Sequence, residues 1–144
     1  MSVHVEEIDV SQVSGVSKGR IEMGQIASGP ENGPLMTLLV DQDAGKSGLR
    51  TDFLGRPAST WPGAARMSLR TGCPVVALAI VREEGGSHEL RFGRTLEPDD
   101  FRDGPDPVRD YTAAISGAVE TFIRERPDQW FWVHRRWKGA HEAG

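Results

Sequence analysis

Two carboxylates that flank an amide form the first group along the chain whose residue types could do chemistry. Asp41, Gln42 and Asp43 follow an apolar run, residues 35–40, at the point where that run stops. Carboxylate and amide oxygens offer several directed hydrogen bonds, so the group could orient an acceptor hydroxyl or a sugar. The same side chains could instead close a turn by accepting hydrogen bonds from loop N–H groups. The spacing alone leaves both interpretations open.

A second group lies near the other end of the chain, where residues 130–138 combine three Trp with one His, two Arg and one Lys. Arg guanidinium groups pair bidentately with phosphate, and Trp suits the headgroup layer of a bilayer. The alternative is a C-terminal helix that buries its aromatic side chains, with basic residues in its last turn favoured by the helix dipole. We expect a mixture, in which some Trp belong to the core and Arg135 or Arg136 faces a phosphate or a loop carboxylate such as Asp41.

Thr60 is predicted to stand at the start of a helix, where it could donate to an acceptor phosphate or serve as the N-cap. A nucleotide phosphate is not expected, although Gly45, Lys46 and Ser47 resemble the end of a P-loop. The full P-loop motif requires a glycine five residues before Gly45, and that position is Val40. The loop therefore lacks the backbone freedom with which a P-loop wraps a phosphate.

The elements that must position these groups follow from the hydrophobic pattern. It predicts a buried strand at residues 35–40, a helix that is capped by Ser59 or Thr60, runs to about Arg70 and stops at Gly72, and a second buried strand at residues 73–81. Strand, helix and strand in this order indicate a parallel, right-handed βαβ unit. The carboxylates would then lie at the carboxyl end of a strand, where open α/β sheets place their sites.

The rest of the chain predicts a hairpin and a long helix. Residues 83–87 indicate a turn, and residues 88–96 alternate as an antiparallel edge strand does. A helix should begin at Asp106 and Pro107 and end at Pro127. Its apolar stripe, which should pack on the sheet, comprises Val108, Tyr111, Ile115, Val119 and Phe122.

Composition limits the class of protein. The chain has 144 residues, a length typical of one domain, and a net charge of −4, which argues against nucleic-acid binding. The single cysteine, Cys73, excludes an internal disulfide and is predicted to be a buried small hydrophobe at a strand start. No stretch approaches the ~18 apolar residues of a membrane span, so any membrane contact should be interfacial. No metal or cofactor site is predicted.

Two blocks of sequence carry a resemblance to a known family. The first block comprises Asp41-Gln42-Asp43, the Phe53/Gly55 pair and residues 57–60 and 72–76, and the second comprises residues 127–138. In this order, from about residue 38 to residue 138, they resemble the carboxyl-terminal half of the bacterial lipid A biosynthesis acyltransferases, the lauroyl and myristoyl transferases. The resemblance implies an α/β fold: part of a glycerol-phosphate-acyltransferase-like domain with a mixed sheet, a parallel βαβ unit, an antiparallel edge hairpin and C-terminal helices packed on it.

The resemblance also implies an activity and a place. The family transfers an acyl chain from a thioester of acyl carrier protein, or of coenzyme A in some relatives, to a hydroxyl of a membrane phosphoglycolipid. We therefore expect a peripheral protein at the cytoplasmic face of the inner membrane, or a cytoplasmic protein if the chain is truncated. The residues expected to bind substrate are Asp41, Gln42, Asp43, Thr60, Arg135 and Arg136.

The family's catalytic base is a His in a His-x4-Asp/Glu motif, which lies on the amino-terminal side of the part matched here. His4 and Asp9 have this spacing, but the two central residues of the interval are acidic, and too few residues separate the pair from Asp41 in the sequence for the strands that should intervene. An exposed N-terminal His is the alternative interpretation. We expect a truncated chain without the catalytic His, with residues 1–34 weakly patterned, residues 35–138 forming the half-domain and residues 139–144 forming a frayed tail.

Two functions of other classes compete with the acyltransferase. One is a non-catalytic module that binds anionic phosphoglycolipid at the membrane surface through its basic, Trp-rich end. The other is a nucleic-acid-binding module that uses the same residues, which the acidic balance of the chain disfavours.

Overall fold

The computed structural model describes residues 36–138. The elements below all lie between residues 45 and 129, within the second of the two units into which the chain divides. In chain order they are β1 (Leu49–Phe53), β2 (Arg56–Thr60), α1 (Gly63–Thr71), β3 (Val75–Arg82), β4 (His88–Leu96), α2 (Asp99–Arg102) and α3 (Pro107–Glu125), with short 3-10 turns at Gly45–Ser47 and Pro127–Gln129.

Strands β1 and β2 form an antiparallel hairpin that the sequence pattern did not predict. Its two-residue turn has positive φ at both positions, 51° at Leu54 and 75° at Gly55, which matches the twist of the strands it joins. Phe53 pairs with Arg56, and the pairing extends to Leu49 opposite Thr60. The hairpin replaces the long loop expected between the carboxylates and the first helix.

Helix α1 ends as predicted but begins later. Gly72 has φ 75°, the left-handed conformation that favours glycine, and its N–H bonds the carbonyl of Ser68. The predicted N-cap was wrong, since Ser59 and Thr60 both lie in β2 and Pro62 occupies the cap position. Pairing with β1 holds residues 59 and 60 in extended backbone, so the helix cannot start there.

The predicted parallel βαβ unit was wrong for the part of the chain that the structure describes. Residues 36–40 form no strand, and both sheets, β1–β2 and β3–β4, are two-stranded and antiparallel. Helix α1 therefore connects strands of different sheets. A short apolar run does not by itself distinguish a strand from irregular chain, which explains the error at residues 36–40.

The second hairpin was predicted correctly, although the environment of β3 was not. Strands β3 and β4 pair from Arg82 opposite His88 to Val75 opposite Leu96, with a bulge between Val76 and Leu78. Strand β3 was expected to be buried on both faces, but only one face is covered. Cys73 precedes the strand and is exposed, so its prediction as a buried residue was also wrong.

Helix α3 packs against both sheets. The Asp106 side chain accepts the N–H of Arg109 and Pro107 follows it, so the helix begins where the cap chemistry predicted. Helix α3 packs against α1, α2, β1, β3 and β4. At its carboxyl end Ile123 joins Phe53 and Ala58 in a buried cluster. The segment that follows α3, residues 126–138, is thereby placed beside the β1–β2 hairpin.

Tyr111 anchors the middle of this core. Its hydroxyl donates to the Leu96 carbonyl at 2.7 Å and lies 2.9 Å from the Ser68 hydroxyl. Its ring stacks on Phe101 with centroids 4.3 Å apart. Burial raises the pKa of the Tyr111 phenol above its ordinary value, so the hydroxyl remains a donor.

Replacing Tyr111 with Phe should lower the free energy of unfolding by about 1–3 kcal/mol, because the buried Leu96 carbonyl then loses its donor. Chemical denaturation of the full chain measures this difference. A Thr121→Val variant removes an exposed hydroxyl from the same helix and should change the free energy of unfolding by less than about 0.5 kcal/mol. Equal effects of the two substitutions would contradict a stabilising role for the buried bond.

Candidate functional site

Residues 126–138, called the tail below, fold as consecutive tight turns. After the 3-10 turn at Pro127–Gln129, backbone N–H groups of Trp132, His134, Arg136 and Lys138 bond carbonyls two or three residues earlier. The expected alternative, a C-terminal helix ending in basic residues, is not formed. Turns send neighbouring side chains in different directions, so the tail presents some aromatic and basic groups to the core and others to solvent.

The side chain of Gln129 fixes the start of the tail to β3. Its Oε1 accepts the N–H of Arg82 and its Nε2 donates to the Arg82 carbonyl, both at 2.8 Å. One amide thus satisfies a donor and an acceptor at the end of a strand, as a neighbouring strand would. The tail is therefore held at a defined position beside the sheet.

The tail contacts the loop that carries the predicted carboxylates, residues 41–48. The Nε1 of Trp130 donates to Oδ2 of Asp41 at 2.9 Å, across 89 residues of sequence. The N–H of Asp43 donates to Nε2 of His134 at 2.8 Å, across 91 residues. Because Nε2 accepts this bond, a neutral His134 carries its proton on Nδ1. The two groups that the sequence analysis singled out therefore lie together.

The loop is also fixed to strand β2. Asp43 forms an isolated β-bridge with Thr60, and its Oδ2 accepts the N–H of Gly45 at 3.2 Å. The Ser59 carbonyl accepts the N–H of Ala44 at 3.1 Å, and the Ser59 hydroxyl donates to the Gly45 carbonyl at 2.6 Å. Asp43 therefore closes a turn, which is one of the two roles that its position allowed.

Asp41 and Gln42 precede the residue that is fixed to β2. Asp41 is half-buried, and within residues 36–138 only the Trp130 indole hydrogen-bonds its carboxylate, through Oδ2. Gln42 is exposed. An accessible carboxylate oxygen beside an exposed amide can accept and donate hydrogen bonds to a hydroxylated ligand.

Arg136 lies inside the protein rather than at its surface. Its side chain is fully buried, with Nη1 donating to the Ser59 carbonyl at 2.6 Å and Nη2 to Oγ1 of Thr60 at 2.7 Å. The guanidinium carbon lies 4.5 Å from the centre of the Phe53 ring. Within the described chain its Nε has no hydrogen-bond partner.

The negative charges of two loop residues, Asp43 and Asp41, compensate part of the positive charge of Arg136. Burial lowers the pKa of the guanidinium, while the charges of Asp43 and Asp41 raise it. An ion without water needs such compensation, because desolvation of a charge costs several kcal/mol. The positions of the loop carboxylates and of the buried cation are therefore coupled electrostatically.

Thr60 accepts a hydrogen bond from the Arg136 guanidinium and does not cap a helix. Its Oγ1 accepts from Arg136 and also from the Thr51 hydroxyl at 2.8 Å, and the residue is only 1% exposed. Sequence reasoning missed the roles of Ser59 and Thr51. The signal that could have found them is the alternation of buried residues on both sides of the Leu54–Gly55 turn. Thr51 and Phe53 precede the turn, and Ala58 and Thr60 follow it.

The aromatic residues of the tail divide between core and solvent, which is the expected mixture. Trp130 and Trp137 pack on Phe53, with ring centroids 5.7 Å and 6.3 Å from it. Trp137 also donates to the Phe53 carbonyl at 3.3 Å. Trp132 is 53% exposed and meets Trp130 edge-on at 4.6 Å. Arg135 and Lys138 are exposed.

Other features of the described residues bear on the function. No helix within residues 36–138 combines the length and apolarity that crossing a bilayer requires. The same residues contain no cluster of side chains suited to hold a metal ion. His4 and Asp9, the weak candidates for the base, lie outside the described residues, as do residues 1–35 and 139–144.

Comparison with the sequence models of known protein families shows which family the chain belongs to. The sequence model of a family described as bacterial lipid A biosynthesis acyltransferase matches residues 17–139 of the 144-residue chain. The chain belongs to the bacterial lipid A biosynthesis acyltransferase family. No curated protein matches it. The resemblance stated from the two sequence blocks is thereby confirmed, and the region that matches the acyltransferase family contains both the loop and the tail.

Proposed function

We propose that the loop and the tail form the acceptor side of an acyl-transfer site. The acceptor is a hydroxyl of a membrane phosphoglycolipid, and the donor is a thioester of acyl carrier protein or coenzyme A. One observation carries the proposal: Trp130 bonds Asp41 and Asp43 bonds His134, so the two sequence blocks meet at one place. Family membership supplies the reaction type.

The exposed groups around this contact suit a phosphorylated sugar. Asp41 and Gln42 would hold sugar hydroxyls, and the exposed Arg135 would pair with a phosphate. Arg136 and Thr60 would act indirectly, since both are buried and bonded to each other, by fixing the strand on which the loop rests. The binding role of Asp43 would fall to its backbone and turn, because its carboxylate closes the loop.

The transfer itself needs a base to take the hydroxyl proton as the oxygen attacks the thioester carbonyl. The carbon–sulfur bond then breaks and the thiol leaves with a proton. We assign the base to neither described His. His134 uses Nε2 to accept the N–H of Asp43, and His88 begins β4, which belongs to the other sheet from the strand that the loop contacts. We therefore propose an acceptor-binding portion of the enzyme whose described residues do not include the catalytic His, positioned peripherally at the cytoplasmic face of the inner membrane.

Replacing Asp41 with Asn should weaken acceptor binding about tenfold or more, because a charge-assisted hydrogen bond to the ligand becomes a neutral one. Asn keeps an oxygen for the Trp130 indole, so the loop should stay in place. Titration of the full chain with a lipid A precursor in detergent micelles, followed by calorimetry, measures the affinity. Asp52→Asn, an exposed Asp in β1, is the matched control and should leave the affinity unchanged. Equal affinities of wild type and Asp41→Asn would contradict the proposal.

A second candidate is the non-catalytic lipid-binding module, which the exposed side chains of the tail favour. Mass spectrometry of the acceptor after incubation with acyl carrier protein thioester shows whether this chain alone transfers the acyl group. Binding without acyl transfer fits either the module or an acyltransferase portion that needs another polypeptide for its base. Transfer that is lost in a His4→Ala variant would place the base in this chain and overturn the assignment of a missing His.

A further inference from the structure

Three consecutive large apolar residues stand out at the surface of the tail. Phe131, Trp132 and Val133 are 67%, 53% and 82% exposed. We call these residues, 131–133, the apolar tip. Most exposed apolar residues on proteins occur singly, so three in succession call for a contact with another apolar surface.

The apolar tip has a fixed conformation. The Trp132 indole donates to the Pro127 carbonyl at 2.6 Å, and its ring lies edge-on to Trp130. The N–H of His134 closes a turn onto the Phe131 carbonyl at 3.2 Å. Contacts on both sides therefore hold the tip outward, so a partner would not have to order it, which removes one cost of binding.

The charges around the tip identify the kind of partner. Residues 124–138 contain five basic residues and two acidic ones, although the whole chain has a net charge of −4. Asp128 pairs with Arg126 at 3.3 Å, and Glu125 lies 3.8 Å from Arg91. Arg135 and Lys138 are exposed and follow the tip closely in the sequence. An apolar group with cations around it complements the interface of an anionic bilayer.

We propose that the apolar tip inserts into the interfacial layer of an anionic lipid bilayer, with Arg135 and Lys138 at the headgroup phosphates. Trp and Phe favour this layer, and such insertion reaches about 5–10 Å below the surface. Trp130 contacts both Trp132 and Asp41, so one side chain links the tip to the loop. The inference adds a membrane contact to the proposed function. It rests on that function only because the same bilayer would carry the acceptor.

Vesicle flotation of the full chain tests the insertion. The vesicles contain about three parts phosphatidylcholine to one part phosphatidylglycerol and no lipid A precursor. Phe131→Ser combined with Val133→Ser should lower the partition coefficient about tenfold or more, because both side chains lose apolar area to bury. Circular dichroism and denaturation check that the variant folds. Ile80→Ser, at a 62% exposed apolar position of β3, should leave the partition coefficient unchanged.

The flotation of the two variants and of wild type distinguishes the possible contact surfaces. Loss of flotation in the double variant but not in Ile80→Ser supports the tip. Loss in Ile80→Ser alone would assign the contact to the β3–β4 face, and flotation of the double variant equal to that of wild type would overturn the proposal. Wild type that fails to float with these vesicles would overturn it as well, and would leave a protein partner for the tip.

Fluorescence quenching by brominated lipid in the same vesicles gives an independent readout. Trp132 should account for the quenching, so Trp132→Phe should abolish most of it. Trp61→Phe, at a 52% exposed Trp in the segment between β2 and α1, should leave the quenching intact. The reverse pattern would contradict insertion of the tip. Asp41→Asn should float like wild type here, so a failure of acceptor binding and a failure of membrane insertion are distinguishable.

Discussion

Replacing Arg136 with Ala should lower the free energy of unfolding by about 3 kcal/mol or more. The substitution removes two charged hydrogen bonds, to the Ser59 carbonyl and to Thr60, and leaves both acceptors buried. It also leaves Phe53 without the cation over its ring. Removing one partner of a buried charged network is among the few changes that reach this size. Denaturant titration, with the tail's Trp fluorescence as the signal, measures the difference.

The adjacent Arg135 provides the control for this prediction. Arg135 is exposed, so Arg135→Ala should change the free energy of unfolding by less than about 0.5 kcal/mol. Arg136→Lys keeps the charge but loses the forked geometry, and it should fall between wild type and Arg136→Ala. Similar stabilities of Arg135→Ala and Arg136→Ala would show that Arg136 does not hold the tail to β2.

Replacing Phe53 with Ala should cost about 3–5 kcal/mol of unfolding free energy. Phe53 is 1% exposed and joins three parts of the fold, since it packs with Ile123 of α3, with Ala58 of β2 and with the tail Trp residues. The cavity left by the ring would remove support from Trp130, and the affinity for a phosphoglycolipid should fall with the stability. Thermal and denaturant unfolding measure the first effect, and calorimetry measures the second.

Phe131 is the matched control, because it has the same side chain and is 67% exposed. Phe131→Ala should change the unfolding free energy by less than about 0.5 kcal/mol. A large loss of stability in Phe131→Ala would mean that the tip is packed rather than exposed, and would undermine its assignment to the membrane surface.

The elements that could be predicted are those whose signals are local. Helix α3 begins at Pro107 behind an Asp cap, and its apolar stripe recurs with helical spacing. The β3–β4 hairpin follows from a turn with glycines at positions 85 and 86, both with positive φ. The end of α1 follows from Gly72. In each case a few neighbouring residues determine the backbone.

The errors concern pairing and burial, which depend on residues far apart in the sequence. The turn at Leu54 and Gly55 contains a non-glycine residue with positive φ, so the β1–β2 hairpin lacks the usual signature of a tight turn. The apolar sequence of β3 indicated burial on both faces, but Leu78 and Ile80 are exposed in this structure. Composition reports the apolar content of a strand and does not report which segments cover it.

Residue type could indicate candidate residues for the site, but it could not indicate how they lie relative to one another. Asp41 and the basic, aromatic tail were selected from residue type and from the family resemblance, and the structure brings them into contact through Trp130. The inward orientation of Arg136 was not predictable from a run of basic residues, since neighbours in a turn differ in direction. Its partners, Ser59 and Thr60, had been assigned to a helix start.

The most direct test of the central claim is hydrogen exchange of the full chain with and without a lipid A precursor in detergent micelles. If the loop and the tail form one acceptor-binding surface, the precursor should slow exchange in residues 41–45 and in residues 132–136 together. The same detergent without the precursor should have no such effect. Slower exchange in only one of the two segments, or in neither, would contradict the account.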